Sequence, residues 1–185
     1  MSAGPYLVII QGAPGVGKTT LSYKLAKDLS LRCISKDALK EMLYEQWGAP
    51  HSNEETKLYG RIAIRSMYVA ADEYLRAGQT VIIESPLESQ FALDDIAKII
   101  KPERVIQLHA FCDPAVQIER FRRRVIDGSR HVGHGDAESF TQEDAEASQR
   151  SNRALSGFMT IPVDTTHFGE NEYDGLLTRL KEEMV

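Results

Sequence analysis

Residues 12–20 read Gly-Ala-Pro-Gly-Val-Gly-Lys-Thr-Thr, and the interpretation of the whole chain starts from this stretch. It matches the phosphate-binding pattern G-x-x-x-x-G-K-[ST] at every fixed position, namely at Gly12, Gly17, Lys18 and Thr19. The apolar run 6–10 before it is typical of a buried parallel strand, and Leu21, Leu25 and Leu29 follow at helical spacing. A glycine-rich loop between a strand and a helix is the setting that the pattern requires, so the sequence predicts a site for a nucleoside triphosphate.

The residues of this loop have different expected roles. Successive backbone N–H groups would converge on phosphate oxygens, and the N-terminus of the following helix would add partial positive charge. Lys18 is expected to reach the β- and γ-phosphates, and the hydroxyl group of Thr19 is expected to bind Mg²⁺. The predicted nucleotide-binding residues of the loop are Gly12, Ala13, Pro14, Gly15, Val16, Gly17, Lys18, Thr19 and Thr20.

Size and composition indicate one globular domain over residues 1–185. A chain of 20.7 kDa can bury a core without disulfides or a structural metal, and Cys33 and Cys112 are interpreted as core thiols in a reducing compartment. The formal charge of −5 does not favour an extended nucleic acid surface. The first apolar run lacks a charged segment before it and is too short to span a bilayer, so we expect a cytoplasmic protein without a membrane partner.

Strand-like and helix-like segments alternate along the rest of the chain. Besides the run 6–10, strands are expected at about 31–35, 79–84, 104–111 and 159–163. Besides the helix after the loop, helices are expected at about 36–46, 52–77, 88–100, 113–127, 141–155 and from 172 onward. Ser52 with Glu55 resembles a capping box at the start of the helix 52–77. Such alternation implies right-handed crossovers, and it predicts a three-layer α/β sandwich around a five-stranded parallel sheet.

Carboxylates are expected near the edge of the sheet where the phosphate loop lies. Ligands of parallel sheets bind at the carboxyl ends of the strands, and this rule brings Asp37, Glu84, Asp113 and Asp164 to that edge. Asp37 could accept the proton of an attacking hydroxyl group, or Ser35 or Asp37 could cap the next helix. Glu84 could hold Mg²⁺ through water or contact an acceptor, or it could be a solvated strand end.

Residues 34–40, Ile-Ser-Lys-Asp-Ala-Leu-Lys, together with the phosphate loop, resemble one group of P-loop kinases. This group contains polynucleotide 5′-kinases, chloramphenicol phosphotransferases, zeta toxins and many AAA-family ATPases. In the polynucleotide kinases the stretch carries the general-base aspartate and, three residues later, an arginine. Asp37 matches the aspartate, but Lys40 replaces the arginine and weakens bidentate phosphate recognition. The resemblance therefore implies a small-molecule or nucleotide kinase type of fold with a lid at about 128–138, and nucleic acid is possible but not favoured as acceptor.

The resemblance also suggests roles for arginines near the lid. In small P-loop kinases an arginine on the helix before the lid packs on adenine, and Arg123 or Arg124 suits this role. A lid arginine neutralises the transferring phosphoryl group, and Arg130 in the stretch Arg-His-Val-Gly-His-Gly-Asp suits that role. Zinc binding by His131, His134 and Asp136 is the alternative interpretation of this stretch. Asp164 and Thr165 are expected, from the resemblance, to line the base pocket.

The sequence thus predicts an ATP-dependent phosphotransferase that moves the γ-phosphoryl group of MgATP to a hydroxyl group of a small-molecule acceptor. The expected catalytic residues are Lys18, Asp37 and Arg130, and Thr19 and Glu84 are expected to hold the metal. Arg61 and Arg65 could bind an anionic acceptor or form ion pairs with nearby glutamates. A 5′-hydroxyl polynucleotide kinase and a nucleotide-binding switch acting through a partner are the alternatives. No Asn-Lys-x-Asp motif supports a GTPase switch.

Overall fold

The secondary structure alternates as expected along the computed structural model, which describes residues 4–87, 89–127 and 140–185 without the side chains of Ser89, Gln90 and Val125. The strands are β1 (Leu7–Gln11), β2 (Arg32–Ser35), β3 (Val81–Glu84), β4 (Val105–Phe111) and β5 (Met159–Asp164). The helices are α1 (Lys18–Leu29), α2 (Lys36–Trp47), α3 (Asn53–Arg76), α4 (Ser89–Ile99), α5 (Pro114–Ile126), α6 (Gln142–Ser151) and α7 (Glu170–Glu183). One 3-10 turn, Pro102–Arg104, precedes β4.

The five strands form one parallel sheet in the order β2-β3-β1-β4-β5. β1 is the central strand, and all its residues are buried because it has a neighbour on each side and helices over both faces. Ile10 lies opposite Glu84 of β3 and opposite Leu108 of β4. The carboxyl end of β1, and therefore the phosphate loop that follows it, lies in the middle of the sheet edge.

Alternate residues of β1 belong to two different apolar layers. Val8 and Ile10 pack with α1 and α7, in a cluster that includes Leu25 and Leu180. Leu7 and Ile9 pack on the opposite face with α3 and α4, in a cluster that includes Met67 and Ile96. Successive strand residues point to opposite faces, so one apolar strand supplies both halves of the core. The predicted three-layer sandwich around a five-stranded parallel sheet is confirmed.

The ends of several helices differ from the sequence predictions for identifiable reasons. The helix expected to reach residue 155 ends at Ser151, where Asn152 forms the C-cap and its Nδ2 donates to the Ser148 carbonyl at 2.8 Å. Beyond it, the Leu155 N–H donates to Gln107 Oε1 of β4 at 2.8 Å, which brings the chain down onto the sheet. The preference of a side-chain amide for backbone groups therefore overrides the helical pattern there.

The start of α3 is a second difference. Ser52 caps the helix as predicted, and its Oγ accepts from the Glu55 N–H at 3.1 Å. However, Glu55 Oε2 accepts from the His51 N–H at 2.6 Å, not from the N–H of Ser52, so the predicted reciprocal capping box is wrong.

The two cysteines and the membrane prediction can also be compared with the fold. Both thiols are free; Cys112 is buried, as a core thiol should be, whereas Cys33 is only half-buried. Among the helices in the described ranges, none is long and apolar enough to cross a bilayer.

Two positions on α3 test which face of this helix holds the sandwich together. Met67 is fully buried, whereas Val69 is 66% exposed. Met67→Ala should lower the free energy of unfolding by about 2–5 kcal/mol, because it removes packed atoms and leaves a cavity. Val69→Ala should change it by less than about 0.5 kcal/mol. Chemical denaturation of both variants measures the difference, and equal effects would contradict the assignment of the buried face.

Candidate active site

The phosphate loop between β1 and α1 takes a conformation that its glycines allow. Gly15 and Gly17 have φ values of 87° and 89°, in the left-handed region that residues with a Cβ rarely adopt. A Cβ on Gly15 would also lie 2.9 Å from the ring of Phe121 on α5. Gly17 is the N-cap residue of α1, so the loop leads directly into the positive end of the helix dipole.

Three carbonyl groups of the loop are held by side chains. The Val16 carbonyl accepts from Thr165 Oγ1 at 2.7 Å, and the Pro14 carbonyl accepts from Gln117 Nε2 at 2.6 Å. The Ala13 carbonyl accepts from Lys18 Nζ at 2.8 Å. In a trans peptide the C=O and the next N–H point in opposite directions. The N–H groups of Gly15 and Gly17 therefore point away from Gln117 and Thr165, which leaves them available to an anion.

Gln117 belongs to a buried polar network that no sequence pattern indicates. Its side chain is fully buried, and Nε2 also donates to Ser148 Oγ of α6 at 3.1 Å. Gln149 Nε2 of α6 donates to Gln117 Oε1 at 2.8 Å and to the Cys112 carbonyl at 2.9 Å. A buried amide with its groups paired is a specific connection, so the network ties α5 and α6 to the back of the loop. In the sequence, Gln117 differs from other glutamines only in its position four residues before Phe121, on the same face of α5.

A cleft of about 620 Å³ opens in front of the loop. Residues of the loop, of α1, α2 and α5 and of the stretch after β5 line it. Among the predicted site residues, the cleft is lined by Pro14, Gly15, Gly17, Lys18, Thr19, Thr20, Asp37, Glu84, Arg123, Arg124 and Thr165. Gly12, Ala13 and Val16 are buried behind this surface, and Ala13 and Val16 pack against Ala110 and Cys112.

Glu84 and Lys18 are two buried, opposite charges at the floor of the cleft. Glu84 is 2% exposed, so it is not a solvated strand end, and its Oε2 accepts from Ser35 Oγ at 2.8 Å. Thr19 Oγ1 lies 3.5 Å from the same carboxylate oxygen. Burial raises the pKa of Glu84, against the opposing effects of Lys18 and of the Ser35 hydrogen bond. Burial also lowers the pKa of Lys18, while the carboxylates of Glu84 and Asp37 oppose that shift.

Asp37 lies in the first turn of α2 and lines the cleft. Its Oδ1 is 2.8 Å from Lys36 Nζ. Ser35, not Asp37, is the N-cap of α2, because Ser35 Oγ lies 3.5 Å from the Ala38 N–H while it donates to Glu84. Of the two caps that the sequence allowed, Ser35 is therefore the one that forms, and its contact with Glu84 is the one that the sequence did not predict.

The arginines of α5 differ in how they are held. Arg120, which the sequence did not single out for the nucleotide, donates to the Thr165 carbonyl at 2.6 Å and to Thr165 Oγ1 at 3.0 Å, and it lines the cleft. Arg124 stacks on the ring of Phe121 at 4.7 Å from its centroid. Arg123 forms an exposed ion pair with Glu119 at 3.3 Å. Two hydrogen bonds therefore fix the guanidinium group of Arg120 against the stretch after β5.

Other predicted site residues are less closely connected to the cleft. Asp164 is exposed and is not among the described residues that line it; the Thr166 hydroxyl and N–H hold the pKa of Asp164 below its ordinary value. Arg65 is paired with Asp95 at 3.7 Å, and Arg61 is exposed. The described residues end at Asp127 and resume at Phe140. They therefore do not include Arg130, His131, His134 or the predicted lid at 128–138. Within the described part of the chain, no group of three or more His, Cys, Asp or Glu side chains suits a metal ion.

Comparison with known proteins identifies the family of the chain. A family model described as an AAA domain matches residues 7–155, which is most of the chain. Among curated proteins, none matches. Among solved structures, a protein from Chloroflexus aurantiacus J-10-fl described as a candidate kinase shares 31% sequence identity at a TM-score of 0.86. The alignment covers 97% of this chain and 98% of that chain.

More distant solved structures share the fold. A gluconokinase from Sinorhizobium meliloti 1021 is 17% identical with a TM-score of 0.60, and the alignment covers 97% of this chain and 95% of that chain. A shikimate kinase from Bacteroides thetaiotaomicron is 15% identical with a TM-score of 0.59, with 96% and 97% covered. The predicted α/β fold of the P-loop kinase type is thereby confirmed.

Two fully buried glutamines allow a matched test of the network behind the loop. Gln117→Leu should weaken the binding of MgATP about tenfold, because the Pro14 carbonyl loses its donor and the loop loses its fixed geometry. Gln107→Leu is the control, since the buried side chain of Gln107 also makes three hydrogen bonds, but to Leu155 and Thr160. It should lower the stability and leave the affinity unchanged. Titration calorimetry measures both, and equal losses of affinity would contradict the role of Gln117.

Proposed function

This chain belongs to the AAA domain family of P-loop kinase-like proteins, and we propose that it transfers the γ-phosphoryl group of MgATP to a hydroxyl group of a small molecule. One observation carries the proposal: Asp37, a carboxylate suited to accept a hydroxyl proton, lines the same cleft as Lys18 and Thr19 of the phosphate loop. A binding switch needs the loop but has no use for a base opposite it. The juxtaposition therefore favours a transferase.

The phosphates of ATP would occupy the end of the cleft formed by the loop. The N–H groups of Gly15 and Gly17 and the N-terminus of α1 would bind phosphate oxygens. Lys18 would leave the Ala13 carbonyl, which it contacts at 2.8 Å, and follow the β- and γ-phosphates. An ammonium that is already buried can make this change over a short distance, and the triphosphate would replace the carbonyl with stronger charge-assisted contacts.

Mg²⁺ fits the donors that lie next to Lys18. The hydroxyl group of Thr19 and the carboxylate of Glu84 are hard oxygen donors, the type that Mg²⁺ prefers, and they lie 3.5 Å apart. Glu84 would act through a water molecule, as suits an ion that retains part of its hydration shell. When bound, the ion would neutralise charge on the β- and γ-phosphate oxygens. Ser35, which donates to Glu84 at 2.8 Å, would keep the carboxylate oriented toward it.

The transfer step is an in-line displacement at the γ-phosphorus. The acceptor oxygen forms the new P–O bond while its proton passes to the Asp37 carboxylate. The bond from the γ-phosphorus to the bridging oxygen breaks, and ADP leaves with the electron pair. Arg130 would contribute positive charge to the transferring group from the lid at about 128–138. The nucleoside would lie along Arg120, Arg123, Arg124 and Thr165, which line the cleft, whereas Asp164 precedes Thr165 outside this lining.

The acceptor is best described as a small molecule with a hydroxyl group. Two of the distant structural relatives are named for small acceptors, gluconate and shikimate. The 5′-hydroxyl polynucleotide kinase has less support, because Lys40 is only 8% exposed and its ammonium lies 5.4 Å from the Tyr44 ring centroid. A lysine in that position does not present a surface cation to a nucleic acid phosphate.

A transfer screen tests the proposal. Purified protein with radiolabelled ATP and Mg²⁺ would be incubated with gluconate, shikimate, hexoses, nucleosides, aminoglycosides and oligonucleotides with a 5′-hydroxyl end. Label appearing on a small acceptor supports the proposal. Label on oligonucleotide ends alone would favour the polynucleotide kinase, and label released only as phosphate with every acceptor would favour the switch.

Lys18→Ala should abolish transfer and weaken MgATP binding by about a hundredfold or more, because the β- and γ-phosphates lose their buried cation. Lys27→Ala is the control, since Lys27 is exposed on the same helix. Titration calorimetry measures the affinity, and circular dichroism checks the fold. Unchanged affinity in the Lys18 variant would contradict the assignment of the loop.

Asp37→Asn should reduce kcat by roughly a hundredfold or more and leave the affinity for MgATP similar, because an amide cannot accept the hydroxyl proton. Asp72→Asn, at an aspartate paired with Arg76 on α3, is the control and should behave as wild type. Steady-state kinetics with the best acceptor from the screen give the comparison. Transfer at the wild-type rate would remove Asp37 from the reaction.

A further inference from the structure

We propose that Lys36 is a positioning residue that keeps the Asp37 carboxylate ionised and oriented for proton transfer. The inference rests on the proposed function, since it concerns the group that accepts the proton of the acceptor. Its basis is the contact of 2.8 Å between Lys36 Nζ and Asp37 Oδ1. Lys36 would not contact the acceptor itself, because Lys36 is not among the described residues that line the cleft.

The contact between these neighbours is not a default of helix geometry. Lys36 and Asp37 are the first two residues of α2, and consecutive residues on a helix point in directions about 100° apart. The lysine side chain must therefore bend across the start of the helix to reach the carboxylate. In this conformation the Lys36 side chain is only 14% exposed, whereas the Asp37 side chain is 41% exposed. The ammonium group is therefore more shielded from solvent than the carboxylate, and Asp37 lines the cleft that an acceptor would enter.

The position of Lys36 is electrostatically unfavourable unless the ion pair compensates it. Lys36 occupies the first position of α2, where the helix dipole disfavours a cation. The half-buried side chain also loses rotamer freedom when it is held in one conformation. A residue chosen for helix stability alone would be an acid or a small capping residue. The ion pair with Asp37 offsets these unfavourable contributions.

Among the described residues, other charged groups also surround Asp37. Lys18 from α1 and Glu84 from β3 both interact electrostatically with Asp37, and they carry opposite charges. Arg124 from α5 interacts with Lys18, and Lys40 and Glu41 follow one turn later on α2. The charged groups on the neighbouring helix α3 include Arg61, which is exposed, and Arg65, which pairs with Asp95. Lys36 Nζ lies 2.8 Å from Asp37 Oδ1, so removal of Lys36 should raise the pKa of the Asp37 carboxyl.

A fixed cation beside the carboxylate has two consequences for the reaction. It favours the ionised form, so the base stays competent to lower pH than it would alone. It also restricts the rotation of the carboxylate, which keeps the accepting oxygen aligned with the acceptor hydroxyl. Loss of the cation should therefore lower the rate more at weakly acidic pH than at neutral pH.

The first test measures the carboxylate directly and needs no acceptor. Carbon NMR would follow the Asp37 side-chain carboxyl signal against pH in the full chain with ADP bound, with Asp37→Asn used to assign the signal. Lys36→Met should move the midpoint of this titration upward by roughly one pH unit, and Lys36→Arg should restore the wild-type midpoint. Lys36→Gln provides a second neutral replacement if methionine perturbs the helix. Lys98→Met is the matched control, because Lys98 forms an exposed ion pair of 2.7 Å with Asp95 on α4. It should leave the midpoint unchanged.

The second test asks whether the ion pair acts in the reaction. The pH dependence of kcat/KM would be measured with the best acceptor from the transfer screen. The acid limb of the profile should move to higher pH by a similar amount in Lys36→Met and Lys36→Gln, but not in Lys36→Arg or Lys98→Met. Affinity for MgATP should stay similar in all four variants.

The outcomes separate this inference from the proposed function. Unchanged carboxyl titration in the neutral variants overturns the inference, and so does a moved titration with an unmoved acid limb, which would leave a structural ion pair only. In both cases wild-type transfer still supports the proposed function. Absence of transfer by the wild-type protein to every acceptor overturns the proposed function and, with it, the role of Lys36.

Discussion

Side chains that donate hydrogen bonds to its carbonyl groups fix the backbone of the phosphate loop, and the rest of the cleft depends on that constraint. Thr165 and Gln117 bind the carbonyls of Val16 and Pro14, so the peptide N–H groups that follow them point the other way. Thr165 lies just after β5 and Gln117 lies on α5, so both partners belong to elements that follow β4. The central position of β1 makes this possible, because β4 and the elements after it flank the carboxyl end of the same strand. The sheet order thus determines which side chains can reach the loop.

The floor of the cleft holds two buried charges, and burying them costs free energy in the folded chain. Glu84 and Lys18 are 2% and 6% exposed, and burial shifts the pKa of each toward its neutral form. Each charge offsets part of the desolvation of the other, but a buried pair contributes little net stability. A triphosphate would bring negative charge to Lys18, and a divalent cation would bring positive charge to Glu84. We infer that the site is arranged for its ligands more than for the stability of the free protein, as is common where function requires buried ionisable groups.

Local sequence patterns were sufficient to predict the helices and strands and the charged residues at the floor of the cleft. The apolar run before the loop predicted β1, and the position of Asp37 and Glu84 just after or at the end of strands predicted their common edge. Contacts between distant segments could not be predicted in this way. The contacts of Gln117 and Arg120 depend on which helix packs beside the loop, and the contact of Ser35 with Glu84 depends on which strands pair. A single sequence carries no periodic signal for either. Lys36 was overlooked for a different reason, since adjacent helical residues are not expected to pair. The roles of Arg130, His131 and His134 stay predictions.

The central claim is that the base and the phosphate loop act together on one phosphoryl group, and a product balance tests it most directly. Phosphorus NMR of a reaction mixture of protein, MgATP and the best acceptor would measure ADP, inorganic phosphate and phosphorylated acceptor together. The account predicts equal amounts of ADP and phosphorylated acceptor, with inorganic phosphate well below both. Equal amounts of ADP and inorganic phosphate, with no phosphorylated acceptor, would contradict it.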